Sequence, residues 1–215
     1  MKKIFLFVFM SLFVFYYYEF DIYADTDDYQ TFSEVMMSNG KLLANFTDAE
    51  FEEFYKNLDQ QFLGISVYIE NDFVDASYIS NTLWSITNTS HTDVTYNVKV
   101  ETDSSNKTTF SSSGSLSASA GGNKSGIKGD ISAKCGVDYS QINTQSVKQT
   151  ETMNLVVEAN SSAIVYLTGN LSITNGVAAS YLFFIEIAKG GFEIATLKNQ
   201  YARVEKAKIW KKYIQ

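Results

Sequence analysis

The 215-residue chain carries a formal net charge of −7, one cysteine, one histidine and no proline. One cysteine excludes an intrachain disulfide, and the acidic balance gives no overall attraction to nucleic acid or anionic lipid. No His/Cys cluster has zinc spacing, so no metal or cofactor is expected.

Met1-Lys2-Lys3 precedes an apolar run over residues 4–18, the pattern of a signal peptide, with cleavage placed after Ala24. The run is short for a transmembrane helix, which needs about 20 apolar residues. An uncleaved N-terminal anchor is the other reading. With cleavage, the protein is secreted and extracellular, and its mature part divides into 25–92 and 93–215. The first part is helix followed by strand, a candidate receptor-binding region.

Residues 25–64 read as helical. Thr47-Asp48-Ala49-Glu50 has the capping-box pattern. Phe51, Phe54, Tyr55, Leu58 and Phe62 recur at helical spacing, and Gly64 is a stop signal. The period then becomes two, with strands expected at 64–70, 82–87 and 93–102. Beyond a Ser/Gly-rich stretch, strands resume at 152–159, 163–169, 181–187 and 192–197. Residues 199–215 suit either a strand or a helix.

The Ser/Gly-rich stretch keeps a phase that a flexible linker has no reason to keep. On one face of the first arm fall Thr108, Phe110, Ser112, Gly114, Leu116, Ala118 and Ala120. On the other fall Thr109, Ser111, Ser113, Ser115, Ser117 and Ser119. After the turn-prone residues 121–126, Ile127, Gly129, Ile131, Ala133, Cys135, Val137 and Tyr139 share one face. Lys128, Asp130, Ser132, Lys134, Gly136 and Asp138 share the other. Two phased arms of equal length predict an amphipathic antiparallel hairpin over 108–139. Each arm, about 43 Å long and tilted by about 45°, crosses about 30 Å, a bilayer's hydrocarbon core. A lone hairpin in lipid leaves unpaired edges; several closed into a barrel do not. The expected lipid-facing residues are Phe110, Leu116, Ala118, Ala120, Ile127, Ile131, Ala133, Cys135, Val137 and Tyr139. The expected lumen-facing residues are Thr109, Ser111, Ser113, Ser115, Ser117, Ser119, Lys128, Asp130, Ser132, Lys134 and Asp138. A Ser/Gly-rich hairpin in an elongated adhesin gives the same pattern without a membrane.

Catalytic constellations are not legible. His91 lies in a turn-like stretch, and Cys135 falls on the apolar face, which raises a thiol's pKa. Gly121-Gly122 and Gly190-Gly191 read as turn glycines rather than phosphate loops. No enzyme is expected.

Three segments, DVTYNVKVET, TTFSSSGSLSASAGGNKSGIKGDISAKCGVDYS and SVKQTETMNLVVEANSSAIVYLTG, resemble the aerolysin-like pore-forming proteins, the epsilon-toxin and mosquitocidal-toxin family. The resemblance covers roughly residues 93–187. The turn at Glu158-Ala159-Asn160 lacks the proline often found there in the family. The resemblance implies a secreted protein that binds a surface receptor, forms a homo-oligomer on a target membrane and inserts one hairpin per subunit. The expected fold is mainly β: an elongated antiparallel sheet or sandwich with long strands, an insertion hairpin and a small N-terminal helical segment. A non-enzymatic secreted or cell-surface β-sandwich for binding or adhesion is the alternative.

Overall fold

Abundant β-branched and aromatic residues with no proline allow strands to run long. The computed structural model of the protein describes residues 32–103, 108–117, 124–137 and 148–209. In chain order these form β1 (Phe32–Met37), a 3₁₀ turn (Leu43–Asn45), α1 (Asp48–Tyr55), β2 (Leu63–Asn88), β3 (Val94–Asp103) and β4 (Thr108–Ser112). Then follow α2 (Lys124–Lys134), β5 (Lys148–Val157), β6 (Ser161–Leu182) and β7 (Ile185–Lys208). The fold is mainly β. A five-stranded antiparallel sheet runs β1-β2-β6-β7-β4, and β3 pairs with β5 in a second sheet. The large sheet draws on both sides of the 92/93 division, because β2 pairs with β6 along nearly its whole length.

β6 is the axis. Its 22 residues, about 70 Å at strand rise, are buried almost throughout. In both of its ladders every register shift puts the extra residue in the partner, at four places in β2 and two in β7. Side chains replace backbone bonds lost at these bulges. Ser80 Oγ accepts from Leu167 N at 2.9 Å, Thr174 Oγ1 from Phe73 N at 3.0 Å, and Asn199 Oδ1 from Asn170 N at 2.9 Å.

Alternation along β6 sorts the coverings by face. Ala163, Val165 and Leu167 pack against Val98, Val100, Leu155 and Val157 of the β3–β5 sheet. The same parity places Val177 beside Tyr68, against which Phe54 of α1 packs with ring centroids 5.7 Å apart. Ala178, of opposite parity, belongs to a core with Phe110, Leu116, Ile131 and Cys135. So β3–β5 and α1 cover one face, while the segment from β4 to α2 covers the other.

α1 starts where the sequence predicts. Thr47 Oγ1 accepts from Glu50 N at 3.3 Å, and Glu50 Oε2 accepts from Thr47 N at 2.8 Å. Lys41 pairs with Glu50, and this cation, with the Thr47 bonds next, holds the Glu50 carboxyl down at about 2. The helix ends earlier than the aromatic spacing implies, where Asn57 Nδ2 donates to Glu53 O at 3.3 Å. Phe62 therefore leaves the helical stripe and lies exposed at the start of β2. Residues 32–37, within the stretch read as helical, form an edge strand instead.

Three further expectations change. The separate strands at 64–70 and 82–87 are one bulged strand. Residues 181–187 are not one continuous strand but the end of β6, a two-residue reversal and the start of β7, with Phe183 and Phe184 at φ +51° and +64° in the reversal. Bulky residues in that region cost roughly 1–2 kcal/mol each. Gly190 and Gly191 lie inside β7 rather than in a turn. Residues 199–208 belong to β7, which decides the strand-or-helix alternative for that stretch.

Candidate functional site

The serine-rich segment docks by its hydroxyls. β4 pairs with β7 from Thr108↔Thr196 to Ser112↔Phe192. Ser113 N then donates to Gly191 O at 2.9 Å, and Gly191 N returns a bond to Ser113 Oγ at 3.0 Å. Ser115 Oγ donates to Lys189 O and accepts from Lys189 N, both at 2.9 Å. Ser117 Oγ folds back to Ser112 O at 2.7 Å. Gly190 and Gly191 make this approach possible. A Cβ on Gly190 would meet Ser113 O at 1.8 Å, and one on Gly191 would meet Leu43 Cδ1 at 2.3 Å. These two positions are the partners that sequence reasoning missed. The signal available was a glycine pair inside an otherwise strand-like run.

Among the described residues the expected β-hairpin is absent from this conformation. The first arm is a strand only to Ser112; Gly114 takes φ +66° and a helical turn begins at Ser115. The second arm is helical from Lys124 to Lys134. It ends in a Schellman motif: Gly136, at φ +68°, donates to Ala133 O at 3.2 Å, and Val137 N donates to Ser132 O at 2.9 Å. The physical reason for the difference is a shared spacing. Ile127, Ile131 and Cys135 recur every four residues, which is two strand repeats and about one helical turn. Both periods align these three residues. Gly136, which the strand pattern places on a polar face, supplies the helix stop.

Phe110, Leu116, Ile131 and Cys135 are buried together, with Ile127 and Val137 half-buried against them. Ala133 is exposed, contrary to its expected place on the apolar face. Of the expected polar face, Asp130, Lys134 and Ser115 are exposed, and Thr109, Ser111, Ser113 and Ser117 are half-buried. Ser132 is fully buried and donates to Lys128 O at 2.7 Å. Lys128 Nζ stands 5.6 Å from the centroid of the Phe110 ring. Ala118, Ser119, Ala120, Asp138 and Tyr139 lie outside the described residues.

Burial, with a smaller contribution from the Asp72 charge, pushes the Cys135 thiol up to about 12, so it is a poor nucleophile here. His91 sits in an exposed loop. Among the described residues no three His, Cys, Asp or Glu side chains converge as metal ligands. A searched set of family models gives no match to the chain, and no curated protein matches it significantly.

Proposed function

We propose that this is a secreted pore-forming protein of the aerolysin-like type. After binding a surface receptor on a target membrane, its subunits assemble into a homo-oligomer. In each subunit the segment 108–139 leaves the sheet and becomes a membrane-spanning β-hairpin in a shared barrel.

One observation carries this reading. The segment departs from β3 and returns to β5, and these two strands are already antiparallel partners in unbroken register from Val94↔Val157 to Asp103↔Lys148. Extending that ladder, one residue further along β3 for each residue back along β5, brings Leu116 opposite Cys135, Ala118 opposite Ala133 and Ala120 opposite Ile131. The turn then falls at Ser125-Gly126, a turn-forming pair. Directly opposed residues share a face, so Ser112, Gly114, Leu116, Ala118 and Ala120 meet Tyr139, Val137, Cys135, Ala133 and Ile131, while Phe110 falls opposite Gln141 and Ile127 opposite Lys124 near the turn. The apolar parity also continues from Val98 and Val100, the buried side of β3. A helix with glycines at 126 and 129 is a weak competitor, since each glycine costs about 1 kcal/mol relative to alanine in a helix.

The test is a reversible lock. Thr109 and Ala195 are register partners on β4 and β7, and such a pair has the Cα separation a disulfide requires. The variant Thr109→Cys/Ala195→Cys is expected to release no dye from receptor-bearing vesicles when oxidised, and to regain wild-type leakage when reduced. Cys135 will not compete, because its thiol stays protonated. Equal leakage from the oxidised form would show that the segment need not leave β7. A wild-type protein that never permeabilises such vesicles would end the pore reading.

A further inference from the structure

The reversal between β6 and β7 makes an apolar tip. Leu182↔Ile185 is the last pair of the ladder, so Phe183 and Phe184 project beyond the sheet. Phe62 joins them from the start of β2, with ring centroids 5.3 Å from Phe183 and 5.4 Å from Phe184, both edge to face. Phe62, Leu63, Phe183, Phe184, Ile185 and Ile187 are each 54–64% exposed. Single exposed apolar residues need no explanation, but a contiguous group does.

The tip is also built against local preference. A two-residue reversal with positive φ at both positions is the type I′ pattern, which Asn-Gly satisfies without strain. Here two phenylalanines hold it. Neighbouring groups brace them: Phe184 N donates to Phe62 O at 3.3 Å, and Gln60 Nε2 donates to Phe184 O at 2.6 Å. Strained backbone that presents large apolar side chains to solvent points to a surface that receives them.

We infer that this tip is a membrane anchor, inserting its aromatic rings into the interfacial layer of a neutral, zwitterionic bilayer. The inference rests on the reading that the protein acts on membranes and names a part that contacts the lipid itself, beside any receptor. Shape favours lipid, because a convex end fits a deformable layer and fills no groove of its own. Charge selects a neutral surface. Burial first, then the nearby Glu186 and Asp59 carboxylates, raises the Tyr181 hydroxyl pKa, and burial with Glu52 and Glu186 does the same for Tyr55. Lys189, 3.7 Å from Glu186 and over the Tyr55 ring, offsets one of these carboxylates, and the acidic excess that remains disfavours anionic headgroups and a second copy approaching tip to tip. The described ends of the chain leave the sheet elsewhere. Phe32 pairs opposite Ser80, and Ile209 bonds to Asn160 at the far end of β6. Interfacial Phe insertion beside a rigid hairpin is the physics of a peripheral anchor. The docking of Ser115 on Lys189 places the serine-rich segment only a few residues from the tip along β7.

The experiment is flotation of the full-length mature protein with phosphatidylcholine vesicles, with dye leakage measured in parallel. The variant is Phe183→Asn/Phe184→Gly, whose turn suits the backbone better than the native pair, so its melting temperature is expected to match or exceed wild type. Wild type is expected to float, and the variant to bind about tenfold or more weakly. Ile187→Ser, which leaves the turn untouched, should weaken binding by a smaller factor. The anchor is overturned if wild type does not float, or if the variant floats equally. It is also overturned if the variant instead abolishes a dimer of the free protein, which would make a second copy the occupant. The two readings separate cleanly. Wild type that floats on these vesicles but leaks neither from them nor from receptor-bearing ones retains the anchor and ends the pore. A variant that floats and leaks like wild type ends the anchor and retains the pore. A Thr109→Cys/Ala195→Cys protein that floats in both states but leaks only when reduced supports both.

Discussion

The large sheet wears two covers on opposite faces, and they are made differently. The β3–β5 cover is a regular ten-pair ladder whose Val98, Val100, Leu155 and Val157 interdigitate with Ala163, Val165 and Leu167. Branched residues in strands pack well and have little alternative structure. The β4–α2 cover holds by a few apolar anchors and by serine hydroxyls on the β7 backbone. Its residues are small, its helix contains glycine, and its anchors satisfy two periodicities. One sheet thus carries a cover suited to staying and a cover suited to leaving.

The largest expected effect breaks the first cover and spares the second. Val98→Ala/Leu155→Ala should lower the free energy of unfolding by about 4–6 kcal/mol in urea melts, the usual sum for two buried truncations. Ile127→Ala/Ile131→Ala removes comparable area but should cost less than about 1 kcal/mol globally, because α2 opens locally at lower free energy than the whole sheet. Its signature should be faster amide exchange confined to 124–137. Equal global losses for the two doubles would make both covers one cooperative unit.

Cys135 gives a kinetic version of the same contrast. With its pKa near 12 rather than 9, the thiol carries about a thousandfold less thiolate at pH 8 than an ordinary cysteine. Labelling by a maleimide should be slow in wild type and faster in Ile127→Ala, in step with α2 opening. The linkage has a fixed sign. Between about 9 and 12 the folded protein holds a proton that the unfolded chain has lost, so stability is full below this window and falls as pH rises through it. Labelling at the rate of a free thiol would place Cys135 outside the buried cluster.

The contrast was only partly legible in the sequence. The mainly β class, the capping box at Thr47 and the strand at β3 follow from local pattern, because cap chemistry and period-two burial act within a few residues. The serine-rich segment was legible as two-faced but not as helical, because a four-residue spacing of Ile127, Ile131 and Cys135 cannot distinguish the periods. What decides between them is tertiary: the sheet offers a face for the helix, and Gly190 and Gly191 admit the serine loop. The phenylalanine reversal was hidden for a related reason. Residues 181–187 carry strong strand propensity, and nothing local marks two phenylalanines as a turn.

The smallest effect tests whether the two faces are independent. α1 lies on the face opposite α2 and is fixed at its start by Thr47, Glu50 and Lys41. Thr47→Ala should lower stability by about 1 kcal/mol, the ordinary loss for such a cap. The Glu50 carboxylate is held in its charged form, so its contribution is present above about 4.5 and is lost as pH falls through about 2. The gap between wild type and Thr47→Ala in urea melts should therefore narrow between pH 7 and pH 3. Loosening α1 leaves α2 on its own face, so Cys135 labelling should not change. If Thr47→Ala speeds that labelling, strain passes through β6 from one face to the other. The serine-rich cover would then be released by events at α1, and not only by contacts of its own.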